Sequence, residues 1–266
     1  MKLSDGRRLS YAEYGRQNGI PVFRFHGTPG AHLITDRNAN LAEDIGIRLI
    51  VPDRPGYGYS DFQPNRTLLD WADDVVAIAN SLGIGKFGIV AHSGGGPHAV
   101  ACAYKIPERL SKVALVSALG PLILMGETAT PMTHERREFK YNQIKTEPQA
   151  WLDFTINNIS DPDGDRIKEQ GMWRVSYMRE AYRQGVAGAV YDETLILTRP
   201  WGFDLEDITA DVYLWQGELD GNVILTQGQF MAEHILNCTA TYVPNVGHLM
   251  PDDVLKDIYS LFLDTS

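Results

Sequence analysis

The sequence predicts an α/β fold: a doubly wound, mostly parallel sheet flanked by helices, with a helical cap inserted past its middle. Three observations carry that prediction. Short, near-continuous apolar runs recur along the chain, as strands covered on both faces require. Helical periodicity separates several of them, which is the βαβα rhythm of a parallel sheet. From about Leu122 to Pro200 no convincing buried strand occurs and helical stretches follow one another.

In chain order, Arg8 to Tyr14 alternates after a turn at Asp5-Gly6 and predicts an opening strand or hairpin. Pro21 to His26 is the next strand and ends in Gly27-Thr28-Pro29-Gly30. Ile47 to Pro52 is the third and runs into Asp53-Arg54-Pro55-Gly56-Tyr57-Gly58-Tyr59-Ser60. Leu68, Trp71, Ala72, Val75, Val76 and Ala79 recur at helical spacing, so Leu68 to Leu82 reads as a helix that Gly83 closes. The run from Phe87 to Ala91 stops at Ser93, and Gly94-Gly95-Gly96-Pro97 opens a helix to Tyr104. Lys112 to Ala118 is the fifth strand.

The cap is expected over residues 122–200, inserted between core segments 1–121 and 201–266. Its helices are predicted at His134 to Ile144, Pro148 to Ile159, Arg166 to Tyr182 and Asp192 to Leu197. Asp161-Pro162-Asp163-Gly164-Asp165 has the look of a calcium loop, but its glycine is misplaced and Met172 stands where the closing glutamate belongs, so it reads as a solvated turn. The sheet resumes at Val212 to Trp215, followed by a helix from Leu225 to Leu236, a last strand from Thr239 to Val243 and a closing helix from Asp253 to Leu263.

In open parallel sheets ligands sit at the carboxyl ends of strands, where these glycine-rich loops are placed. Ser93 lies on a strand-to-helix corner of the small-x-Ser-x-small kind, with Ala91 in the place of the first glycine. Such a turn exposes Oγ and aims the N–H of Gly94 at a developing oxyanion. A serine also needs a base and a group to orient it. His248 follows the last strand and is placed for the base; Asp220, in the loop after the preceding strand, is placed to hold its other nitrogen. Glu218, Asp204, Asp207 and Asp211 are rivals that sit two residues early or before the strand. His92 is beside the serine on the other side of the strand, His98 and His234 lie inside helices, and His32 and His134 have no evident acidic partner.

Ser93, Asp220 and His248 occur in the order of the α/β-hydrolase fold superfamily, which the chain resembles over nearly its whole length. His26-Gly27-Thr28-Pro29-Gly30 resembles the HGxPG oxyanion loop of that superfamily, Asp53 to Asp61 resembles the loop after the next strand, and Arg199 to Phe203 resembles the segment returning from the cap. The resemblance implies Thr28 N–H as the second oxyanion donor, with His26, Gly27 and Gly30 supporting the loop. It further implies acyl transfer on a small-molecule substrate, carboxylic-ester hydrolysis first. Proline iminopeptidase, lactonase, carbon–carbon bond hydrolase and perhydrolase chemistry are the alternatives, and a ligand receptor on the same fold is the non-enzymatic one. No metal or cofactor is expected. His92 and the cap aromatics Trp151, Phe154, Trp173 and Tyr177 are candidates for a substrate pocket, against the plain alternative that such stripes pack a core.

Composition bounds the rest. A net charge of −10 over 266 residues argues against nucleic acid, which needs clustered cations. Two cysteines make no disulfide framework, and no run nears the roughly 18 apolar residues of a membrane span. With no leader pattern at the start, a cytoplasmic location away from membranes is the expectation. The sequence leaves oligomeric state open.

Overall fold

A computed structural model describes residues 1–159 and 161–263. Seven strands form one sheet: β1 (Tyr11–Gly15), β2 (Ile20–Phe25), β3 (Ile47–Pro52), β4 (Phe87–His92), β5 (Leu110–Val116), β6 (Val212–Gly217) and β7 (Cys238–Val243). Their order is β1-β3-β2-β4-β5-β6-β7, and only β1 runs antiparallel to its neighbour. After β2 the chain moves outward to β3, and after β4 it moves the opposite way to β5. The pair β2/β4 is therefore the switch point, where loops diverge and leave a crevice.

Alternation along the central strands separates two apolar layers. Phe23, Phe25, Ile89, Ala91 and Leu115 pack on one face with α2 (Asp70–Ser81) and α3 (Gly96–Lys105). Val22, Val90, Ala114 and Val116 pack on the other with α1 (Asp36–Ile45) and α10 (Asp252–Ser260). Between β5 and β6 the chain inserts α4 (His134–Thr146), α5 (Pro148–Asn157), α6 (Asp161–Gln170), α7 (Met172–Ala181) and α8 (Ala187–Thr198). α9 (Leu225–His234) joins β6 to β7. The insertion has its own core, with Ile144, Leu152, Val175 and Tyr182, which also takes in Ala31 and Tyr57 of the sheet loops. No helix among the described residues is long and apolar enough to cross a membrane.

Two expectations are corrected, and one helix was not predicted. The stretch between Gly30 and Ile47, given no element above, carries α1, capped by Thr35 and closed by Gly46 at φ 91°; it buries only Ala42, too thin a stripe to register as periodicity. The single helix expected over Arg166 to Tyr182 is two, broken at Gly171 with φ 51°. The solvated turn at 161–165 is instead the start of α6, and Asp163 is wholly buried. Its two carboxylate oxygens accept the backbone N–H groups of His248 (2.9 Å) and Leu249 (2.7 Å), a partnership 85 residues away in sequence.

Candidate active site

β4 delivers the chain to Ser93, which sits at φ 55°. A non-glycine residue in that region costs on the order of 1–3 kcal/mol, and such strain persists only where the surroundings enforce it. They do so here by contact. A Cβ on Gly95 would lie 2.7 Å from His26 O and 2.8 Å from Phe25 O, and one on Gly94 would lie 2.4 Å from Thr28 Oγ1. The glycines let the corner press against the loop after β2 and bring Gly94 beside Thr28 N, 3.2 Å from that Cβ position. The two residues named from the sequence for their backbone amides are thus packed against each other at the switch point.

Asp220 follows β6 and is buried, whereas Glu218, Asp204, Asp207 and Asp211 are exposed. Its Oδ1 accepts N–H groups of Asn222 (2.8 Å) and Val223 (2.9 Å), and its Oδ2 accepts Gln216 Nε2 (3.0 Å) and His248 Nδ1 (2.8 Å). Burial opposes ionisation of Asp220, but the bond and charge of His248, with those two amides, hold it below the usual carboxylate range. An ionised carboxylate only accepts, so Nδ1 carries a proton, and in the neutral ring Nε2 holds the lone pair. The His248 loop is fixed from two more sides: its N–H by Asp163, its carbonyl by His92 Nε2 at 3.1 Å. Burial first, then the neighbouring His248, brings His92 down to about 3, so it is neutral and donates from Nε2. The Ser93 hydroxyl makes no hydrogen bond among the described residues.

The loop after β2 is held by a residue that sequence reasoning passed over. Arg54 is fully buried, and its guanidinium donates to His26 O, to Gly27 O (2.9 Å) and to Thr28 Oγ1 (2.9 Å). Arg54 N–H is accepted by His26 Nε2 (3.2 Å), leaving Nδ1 to donate to Gly27 O at 2.8 Å. Burial and the Arg54 charge push His26 well below its ordinary value. The counter-charge comes from the insertion. Asp192 on α8 accepts Arg54 Nε (2.8 Å) and Arg66 Nη2, and stands 3.7 Å from His98 Nε2. Burial would raise Asp192, but the two guanidiniums win and lower it far below the normal range. His98, lowered to about 3 by burial and Arg54, donates through Nδ1 to Gly94 O at 3.1 Å. One ion cluster therefore ties the helix after Ser93, the loop of Thr28 and the inserted helix α8.

Other predicted positions fall elsewhere. Gly30 lies against His26 Nδ1 and the Tyr177 hydroxyl, each 2.6 Å from its Cβ position. His32, expected to lack an acid, pairs with the buried Asp53 at 2.8 Å; burial opposes its charge, yet Asp53 raises it above its ordinary value. Trp151 and Phe154 do not reach the site: they line a groove between α4 and α5 with Phe139, and Phe154 is 67% exposed. His92, Trp173 and Tyr177 line a separate cavity of about 260 Å³ that neither Ser93 nor His248 touches. Aromatic spacing marks a helix face but not what that face meets.

The family described as the alpha/beta hydrolase fold matches residues 20–253. A non-heme chloroperoxidase of Streptomyces lividans is 34% identical over 47% of this chain and 46% of its own, so the match spans about half of that protein. A bifunctional esterase/perhydrolase of Acinetobacter calcoaceticus is 29% identical over 93% of this chain and 91% of its own. An esterase structure from Exiguobacterium antarcticum superposes with a TM-score of 0.71 at 20% identity, covering 99% of this chain and 97% of the other, a likeness of fold.

Proposed function

Because the chain belongs to the α/β-hydrolase fold family, we propose that it is a serine hydrolase that cleaves small carboxylic esters through an acyl-enzyme on Ser93. The observation that carries this reading is the 2.8 Å bond between His248 Nδ1 and an Asp220 carboxylate already held by three other donors. That bond leaves Nε2 of His248 as the base. Ser93 Oγ loses its proton to Nε2 as it attacks the carbonyl carbon, and the oxyanion takes the N–H groups of Thr28 and Gly94. His248 returns the proton to the leaving alkoxide. Water, deprotonated by the same nitrogen, then releases the acid. The helices inserted over 122–200 act as the lid over this site.

Hydrolysis of short and medium p-nitrophenyl esters by the wild type and by Ser93→Ala, His248→Ala and Asp220→Asn tests the reading. The expected result is turnover by the wild type and a loss of about 10³-fold or more in each folded variant. An inert wild type, or a Ser93→Ala protein that keeps its rate, refutes it. The esterase/perhydrolase relative supports a second activity from the same acyl-enzyme, in which hydrogen peroxide replaces water and a peracid leaves. Peracid formation that Ser93→Ala abolishes is the corresponding result.

A further inference from the structure

The cavity of about 260 Å³ lies between the core and the insertion, and Ser93, Asp220, His248, Thr28 and Gly94 take no part in lining it. Its floor is apolar, with Val90 and Val116 from the sheet, Ile34 near α1, Met250, and Ile258 from α10. Its charge is the unexpected part. Four arginines (Arg24, Arg37, Arg166 and Arg174) face two acids, Glu169 and Asp252. This is an excess of two cations inside a protein whose net charge is −10.

The pairing decides which cations are left over. Arg37 pairs with Asp252 and, at 3.9 Å, with Glu169, while Arg166 reaches Asp252 at 3.5 Å. Arg24 and Arg174 form no ion pair among the described residues. Arg174 lies over the Tyr177 ring at 5.7 Å, and Asp163 acts on it electrostatically. Its Nε is buried without a hydrogen-bond partner, as is Gln170 Oε1, and the Tyr259 hydroxyl bonds toward Arg24. Buried polar atoms are nearly always paired, and the two arginines are only partly exposed to water. Two buried polar atoms and two guanidiniums outside any ion pair thus converge on one cavity with an apolar floor. Burial weighs against the charge of Arg174 and lowers its pKa, with Tyr177 and Asp163 opposing it.

We propose that this cavity is a binding site for a small carboxylate with an apolar tail, its carboxylate on Arg24 and Arg174 and its tail on the sheet floor. Guanidinium forks match a carboxylate in a bidentate way, and the volume approaches the lower range of small-molecule pockets, about 300 Å³. The site does not depend on the esterase reading, since its lining excludes the triad. Its ligand bridges α6 and α7 to the sheet and to His92.

Isothermal titration with hexanoate, with hexanamide as the uncharged isostere, tests the proposal. The wild type is expected to bind one hexanoate, and hexanamide at least about tenfold more weakly. Arg24→Gln and Arg174→Gln should each weaken hexanoate about tenfold or more, while Ser93→Ala binds like the wild type. Absence of saturable binding, equal binding of the amide, or full affinity in both arginine variants overturns the proposal. A crystal soaked with 6-bromohexanoate gives a readout free of variant folding: bromine between Val116 and Ile258 supports the site, and bromine at Ser93 alone overturns it.

Discussion

Asp192→Asn keeps the shape of a fully buried side chain and removes the one carboxylate that faces two buried guanidiniums, Arg54 and Arg66. Removing one partner of a buried ion pair costs about 3–5 kcal/mol, because the charge left behind stays out of water. The carbonyls that hold Arg54 are dipoles and do not replace a charge. Set against a total stability of about 5–15 kcal/mol, that loss is large, and for a chain of this size it corresponds to a fall in Tm of roughly 6–20 °C. Urea unfolding followed by circular dichroism measures it, with Asp73→Asn as the control. Asp73 pairs with Lys105 at the surface at 2.8 Å with 66% of its side chain exposed, and its loss should stay below about 1 kcal/mol. The Asp192→Asn protein should also lose ester turnover before it unfolds, since Arg54 holds His26, Gly27 and Thr28; misplacing one oxyanion donor costs about 10²–10³ in rate. A variant within about 1 kcal/mol of the wild type refutes the argument that this carboxylate balances both cations.

Gly94→Ala places a methyl 2.4 Å from Thr28 Oγ1 and 2.8 Å from Thr28 Cβ, so esterase kcat should fall about 10²-fold or more while urea stability drops far less; unchanged kcat contradicts the placement of that loop. Asp163→Ala strips two backbone N–H groups of their acceptor, and calorimetry should find a loss of at least about 1–3 kcal/mol, the cost of a single unpaired buried group. Stability should rise with pH between about 3 and 6.5. His92 and His98 have folded values lowered to about 3, so only the unfolded chain takes up their protons in that window, at about 1.4 kcal/mol per pH unit for each, and the lowered His26 acts in the same direction. His32 opposes this: its raised value gives stability below about pH 6.5 that is lost as pH climbs through the folded value. Below about pH 4 the lowered Asp192, Asp53 and Asp220 add to the loss. Urea midpoints at pH 5 and 7.5 check the sign, and a higher midpoint at pH 5 contradicts it.

The sheet was legible because its strands are near-continuous apolar runs that end in glycines, and the corner at Ser93 because strand, glycines and proline adjoin in sequence. Asp220 and His248 could be placed by counting loops at one edge of that sheet. What stayed hidden depends on partners far apart in the chain. Arg54 and Asp192 are 138 residues apart, and each alone reads as a surface charge. Asp163 sits in a polar helix start that a local reading assigns to water, and His32 finds Asp53 only once loops fold together. An arginine within Asp-Arg-Pro-Gly, just after a strand and near a candidate oxyanion loop, is the signal from which a buried clamp could have been inferred.

Two acids leave the insertion and end among the loops of the sheet: Asp192 on the arginine behind Thr28, and Asp163 on the amides of His248 and Leu249. The inserted helices are thus no interchangeable module. A chimera that grafts foreign helices onto this sheet keeps the Thr28 loop and the His248 backbone held only if the graft brings carboxylates to the same two places. Whatever undocks these helices strips Arg54 of its counter-charge and the His248 amide of its acceptor in one motion.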